Sequence, residues 1–399
     1  MRVSFTFDYQ ELIRSRYLYV VQNTNPIYAI KSDPIYQPVR DFFTSYKHGG
    51  YPFRLIKLLH ATAIKMFEHS INRQRLRKLG WLFATAGLYL ALDTKHPNLA
   101  IHEHFGDFTA GFSHQFGVGL AALVMSQTFG IPYDQMNRIP VQGRPVLDYE
   151  ANIPTGGILP LEAKGVTRSD GRGSARKSIC KKKVAERQRL QSQTSSIPVT
   201  QPAMIGVIVQ AARVQTNAAS SRRNAKQGLI EIVDPDFGGN EAVLPEENLL
   251  TGKYRHYAAV ALFAGLYDVA EELLERANTL MTGRVRMHHG RNIRFDERAV
   301  WQVGQRNLVG IQWRPSNQAE LADDVWFYQA VDRDLIRELI INDVFPNTQP
   351  YYDDQPLLSN NEYIESILPD GSYFGMGTTA RNGLRTLNPR DMTSQNLHY

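Results

Sequence analysis

Apolar and polar positions follow two periods along this chain, and the changes of period divide it into three. From Phe53 to Phe67 apolar residues recur at helical spacing (Leu55, Ile56, Leu58, Leu59, Ala63, Met66). A polar stretch from Glu68 to Lys78 then leads into an apolar run from Leu79 to Leu92. That run is too short to span a bilayer and contains Gly87, so it predicts a buried helix. Residues 1–105 thus read as a mainly helical N-terminal region.

Residues 106–238 have a different rhythm. A glycine-spotted apolar helix is predicted over about 109–129, stopped by Gly130, Ile131 and Pro132. A short strand is predicted from Arg138, then a turn at 143–145 and a second strand over Val146 to Ala151. Pro154 to Gly157 is turn chemistry, and Ile158 to Val166 is a third strand. A linker over 168–173 precedes a basic helix over 174–193. The nearly continuous apolar run from Ala203 predicts a strand buried on both faces, and Leu229 to Val233 another. Helix, three strands, helix and strand make an α/β core with a mixed sheet.

Residues 239–399 read as a helical and loop-rich C-terminal region. Helical periodicity covers Tyr254 to Met281, a further helix is expected over about 319–341, and 347–399 reads as loop. Trp301, Trp313 and Trp326 read most simply as core residues.

Composition narrows the class. With 399 residues, 43% of them hydrophobic, the chain is long enough for two or three domains with a substantial core. Its single cysteine, Cys180, excludes a disulfide framework and a cysteine-based zinc site. Arg2, Asp8 and Glu11 interrupt any apolar opening run, so no secretory signal and no membrane association are expected, and a cytoplasmic setting is. The formal net charge of +6 matters only where it clusters. It does so on the basic helix and its approach: Arg168, Arg172, Arg176, Lys177, Lys181, Lys182, Lys183, Arg187 and Arg189, against Asp170 and Glu186. Such a run is commonly a solvated helix face, but its position directly after the third strand favours a surface that neutralises phosphates. Gln188 and Gln191 on the same helix are candidate substrate contacts. Arg213, Arg222, Arg223 and Lys226 form a second basic group, read as a surface loop.

The candidate chemistry lies on the second and third strands. Residues two apart on a strand share a face, so Glu162 and Lys164 project together from an apolar stretch. A hairpin around Pro154 to Gly157 would fold Asp148 back beside Glu162, with Glu150 as its rival or as a second ligand. Two carboxylates and the backbone carbonyl of Ala163 are hard oxygen ligands of the kind Mg²⁺ takes, Mn²⁺ being the alternative. A metal there would polarise a phosphate and acidify a bound water, and Lys164 would orient that water or offset developing charge. Charges buried in a strand are costly, which itself asks for a functional reason.

The segment Val146-Leu-Asp-Tyr-Glu followed by Leu161-Glu-Ala-Lys resembles the active-site signature of the PD-(D/E)xK nuclease superfamily, with Asp148, Glu162 and Lys164 at its three positions. The resemblance covers about 106–235 and implies a restriction-endonuclease-like core cutting DNA, with a nuclease acting on RNA as the alternative, and by analogy a homodimer. Two departures stand out. Leu147 occupies the place of the usual proline, and the first helix lacks an acid, leaving His114 and Gln115, with Glu103 and Asp107 upstream, as the nearest candidates. The reading from another class is a nucleic-acid-binding or assembly protein that keeps the fold without cutting.

Other patterns are weaker. Gly117-Val-Gly119 lacks the strand-turn-helix setting of a dinucleotide site. His102-Glu-His104 has no third ligand at metal spacing. His288 and His289, among Arg284, Arg286, Arg291 and Arg294, read as a further polyanion patch.

Overall fold

The computed structural model describes residues 9–30, 32, 34–70, 87–102, 108–138, 147–152, 158–167, 171–193, 204–214, 228–234, 246–282, 300–314, 325–352, 357–360 and 362–387. It is a mixed α/β protein. The N-terminal part contains α1 (Tyr9–Ile13), β1 (Ser15–Gln22), α2 (Gln37–Tyr46), β2 (Tyr51–Arg54), α3 (Leu55–Ser70) and β3 (Ala100–His102). The middle part runs α4 (Phe108–Phe129), β4 (Met136–Arg138), β5 (Tyr149–Asn152), β6 (Ile158–Val166), α5 (Gly171–Gln193), β7 (Ile205–Gln210), β8 (Ala212–Val214) and β9 (Leu229–Val233). It has the helix, three-strand, helix, strand order read from the sequence.

A seven-stranded mixed sheet in the order β2-β1-β9-β7-β6-β5-β4 forms the first layer. β4, β5 and β6 pair antiparallel in succession, and β7 then runs parallel to β6, reached through the crossover helix α5. α5 covers one face through Ala175 and Ile179, which pack on Ile208 and Val233. α4 covers the other. β7 is buried at every position, as its unbroken apolar run requires. The glycines of Gly117-Val-Gly119 serve packing: a methyl on Gly119 would meet the Thr62 backbone of α3, and one on Gly117 would meet the Gly165 backbone of β6. They let helix, helix and strand approach closely.

The N-terminal region is not a separate helical unit. β1 pairs parallel with β9 (Tyr19↔Leu229) and antiparallel with β2, extending the central sheet by two strands. β1 hides this from its pattern because it buries Arg16 and Leu18 while exposing Tyr17 and Tyr19. Arg16 is held by the Glu11 carboxylate at 2.8 Å and by the Thr94 carbonyl.

The C-terminal region likewise departs from the expectation of helices and loops. α6 (Glu246–Phe263) and α7 (Tyr267–Thr282) turn at Gly265 (φ +70°), and a second sheet follows. Its strands are β10 (Trp301–Val303), β11 (Arg306–Trp313), β12 (Trp326–Asp332), β13 (Leu357–Ser359), β14 (Tyr363–Ile367), β15 (Ser372–Gly377) and β16 (Arg385–Leu387), in the order β10-β11-β12-β15-β14-β13 with β16 alongside β11. The helix expected over 319–341 is, within the described residues, strand β12 followed by α8 (Arg333–Asn342). Asp332 caps α8 by accepting from the backbone N–H groups of Asp334 and Leu335. The stretch expected as loop carries β13 to β16, and the turn between β14 and β15 uses Gly371 at φ +78°. Trp313 is fully buried, as expected, stacked on Phe327 at 4.7 Å between ring centroids; Trp301 and Trp326 are half-buried.

Helices α3 and α6 lie between α4 and the second sheet, and one continuous core joins them to both sheets. Among the described residues no helix is long and apolar enough to cross a membrane.

Candidate active site

The alternation of β6 assigns its side chains to two different neighbours. Glu162 and Lys164 face α5, and Gly206, opposite Glu162 on β7, lies beneath Ile179 of that helix. Ala163 and Gly165 face α4, where Gly165 lies so near the Ser113 carbonyl that any side chain would collide with it.

Asp148 stands one residue before β5 rather than within it. Its N–H donates to the Leu161 carbonyl at 3.0 Å, and its Oδ2 accepts from the Ala163 N–H at 3.1 Å, just past the end of the β5 ladder. The carbonyl of a strand residue projects to the same side as its N–H, so that of Ala163 is directed to this edge as well. Glu150 is half-buried within β5, opposite Asn137 and Pro160.

A cation joins the two carboxylates. Lys182 of α5 brings its Nζ to 2.6 and 2.8 Å from the two Glu162 carboxylate oxygens and to 3.5 Å from Asp148 Oδ1. Lys164 Nζ lies 2.5 Å from Glu162 Oε1. Arg138 of β4 reaches Asp148 Oδ1 at 3.5 Å and lies over the Tyr149 ring. The carboxylates are buried, whereas the Lys164 and Lys182 side chains keep 21% and 22% of their surface, so the cluster opens to solvent on its lysine side.

The two carboxyls titrate in opposite directions. Burial alone would raise Asp148, but Lys182, Arg138, Lys164 and the Ala163 N–H outweigh it and hold it below the usual carboxylate range. Glu162 is raised, first by burial and then by the charge of Asp148, with Lys164 and Lys182 offsetting only part. His114 of α4 is held below its ordinary value by burial, against the attraction of Asp148 and with help from the nearby cations. A neutral imidazole therefore stands near Asp148, on the helix where the signature ordinarily has an acid.

The basic residues divide. Lys177 and Lys181 are exposed. Arg176 is half-buried and makes a paired contact with Glu231 at 2.7 and 2.8 Å, with Arg172 at 3.8 Å from the same carboxylate. Lys183 corrects the expectation of a phosphate contact: it is buried, bound to Asp234 at 2.5 Å and to the Met204 carbonyl at 2.8 Å. Its ammonium is consumed inside the fold. Arg168 lies outside the described residues, as do Glu103, Asp107 and His104, the 222–226 basic group and the 284–294 patch. The same holds for the side chains of Arg187, Gln188, Arg189 and Gln191. The pattern missed Arg138, on a strand with no acidic or basic periodicity, and read Lys182 as one of a run. Only the docking of α5 along β6 selects it.

Among the described residues no group of three or more His, Cys, Asp and Glu side chains could hold a metal ion. The donors present nevertheless fit a hard divalent cation, which takes one or two carboxylates and completes its shell with water and substrate oxygens. Two buried carboxylates already share one cation. Glu162 Oε1 is buried without an aligned hydrogen bond, although two ammonium groups crowd it. Comparison with protein-family models, curated proteins and solved structures finds no match to the chain.

Proposed function

We propose that this chain is a metal-dependent nuclease hydrolysing phosphodiester bonds in DNA on a restriction-endonuclease-like core of the PD-(D/E)xK type. The observation that carries the reading is that Asp148 and Glu162 share one ammonium where the β5 ladder ends, with Lys164 beside them. Asp148, Glu162 and the Ala163 carbonyl would hold Mg²⁺ or Mn²⁺, which supplies charge for the phosphate and acidity for a bound water. Asp148, already ionised, keeps its Oδ2 on the Ala163 N–H and so holds its orientation. Lys164, on the face of Glu162, would orient the attacking water or offset charge on the phosphate oxygens. Lys177 and Lys181 offer phosphate contacts along the backbone, which bind without reading sequence.

The test is incubation of plasmid, linear DNA and RNA with Mg²⁺, Mn²⁺ or EDTA, using wild type and the Asp148→Asn, Glu162→Gln and Lys164→Ala variants. Metal-dependent cleavage by wild type alone supports the reading, and the nucleic acid cut decides between DNA and RNA. A second reading, a nucleic-acid-binding protein that does not cut, draws on Lys182 filling the space between the carboxylates as a structural ion pair would. Binding of DNA with no cleavage under any metal would favour it. The homodimer implied by resemblance is checked by light scattering with and without DNA.

A further inference from the structure

We infer that Lys182 is a resident substitute for the metal ion: its ammonium and a divalent cation take the same place between Asp148 and Glu162, so binding the ion requires Lys182 to leave. The inference rests on the metal-dependent reading above and concerns how that site is regulated.

Three observations carry it. The first is position. Lys182 Nζ lies 2.6 and 2.8 Å from both oxygens of Glu162 and 3.5 Å from Asp148, so a cation touching both carboxylates would have to stand where that nitrogen stands. The second is charge. The two carboxylates already face Lys164, Lys182 and Arg138, so the cluster carries a formal surplus of one positive charge. A divalent ion added beside all three would be repelled from a partly buried site, where screening by water is weak. The third is freedom to move. Lys164 is tied to the strand that carries Glu162, and Arg138 is stacked over Tyr149. Lys182 instead reaches in from α5 on a flexible four-carbon stem that is 22% exposed. It can withdraw by turning that stem, without moving the sheet. The protein would thus hold its carboxylates together and neutralised without metal, and metal affinity would be lowered by the fraction of time Lys182 occupies the place.

The experiment measures Mn²⁺ binding by isothermal titration calorimetry without nucleic acid, for wild type and for Lys182→Met, Lys182→Arg and Glu162→Gln. A metal-dependent shift in melting temperature gives the second readout, and circular dichroism checks that each variant is folded. Exchange predicts that Lys182→Met binds Mn²⁺ about tenfold or more tightly than wild type. It also predicts that Lys182→Met gains more thermal stability from the ion, being the variant left with two unbridged carboxylates. Lys182→Arg, which keeps the charge, should bind no tighter than wild type, and Glu162→Gln should lose binding. Equal affinities for wild type and Lys182→Met, with loss in Glu162→Gln, would overturn the exchange and leave the metal site standing. Unchanged binding in Glu162→Gln, or no binding by either wild type or Lys182→Met, would overturn the metal-dependent reading and the exchange with it.

Discussion

Raising the pH should weaken this protein at one identifiable place, the buried His256 of α6. Its Nε2 lies 2.9 Å from Asp370 at the β14–β15 turn, and its Nδ1 contacts Glu68 of α3. Carboxylates only accept, so both ring nitrogens must donate and the ring is an imidazolium. Lys65 binds Glu68 at 2.7 Å, Ser372 binds Asp370, and the Tyr133 ring meets the imidazole edge-on. Burial opposes the charge, yet the two carboxylates overcome it and push His256 up from an ordinary 6.5 to about 9. At about 1.4 kcal/mol per pH unit this corresponds to about 3 kcal/mol of stability. A raised histidine contributes in full below its unfolded value, so the contribution is complete below about pH 6.5 and is lost as the pH rises through about 9. Urea unfolding at stepped pH between 6 and 10, for wild type and His256→Gln, should show a wild-type decline of that size which the variant lacks. A histidine ring titration by NMR should have its midpoint near 9. Identical pH slopes in the two proteins, or a ring that titrates near 6.5, would refute the reasoning.

Three further outcomes are expected. Lys183→Ala leaves Asp234 buried without its cation and should cost about 3–5 kcal/mol in chemical denaturation, whereas the double change Lys183→Met with Asp234→Leu should recover most of it. Gly165→Ala forces a methyl onto the Ser113 carbonyl and should destabilise by about 1–3 kcal/mol or more, measured as a fall in melting temperature. Alanine at both Lys177 and Lys181 should leave stability within about 0.5 kcal/mol. The same pair of changes should lower the slope of log affinity for DNA against log salt by about 1 to 2, read by fluorescence anisotropy.

The parts of the molecule legible in the sequence are those where one physical demand acts alone. Ile158–Val166 and Leu229–Val233 are strands at the residues expected, since each is a short, mainly apolar stretch of strand length. Glu162 and Lys164 share a face because the pleat leaves no choice. The second sheet escaped because its strands bury polar groups among apolar ones: Gln312 is taken up by the 381–386 segment, and Gln329 receives the Trp313 indole N–H. β12 was absorbed into a helix because its aromatic run abuts the genuine helical period of α8. Lys182 could be seen as basic but not as bridging, since the turn of α5 that faces Glu162 depends on Gly206 admitting Ile179, a contact between residues far apart in the chain.

The place of β1 in the central sheet bears on how the molecule is made. β1 and β2 are successive strands, with α2 between them, and pair directly, but the other edge of β1 is completed only by β9, at Leu229–Val233. During synthesis the β1–β2 pair therefore leaves the ribosome early and waits, with one edge unsatisfied and Tyr17 and Tyr19 exposed, while about 175 residues, from Arg54 to Leu229, are added. A strand edge left open that long invites pairing with another chain. The sheet that holds Glu162 thus closes late, after nearly everything it will contain has been made, and a nascent chain stalled before Leu229 would carry the Asp148, Glu162 and Lys164 cluster without the finished sheet beneath it.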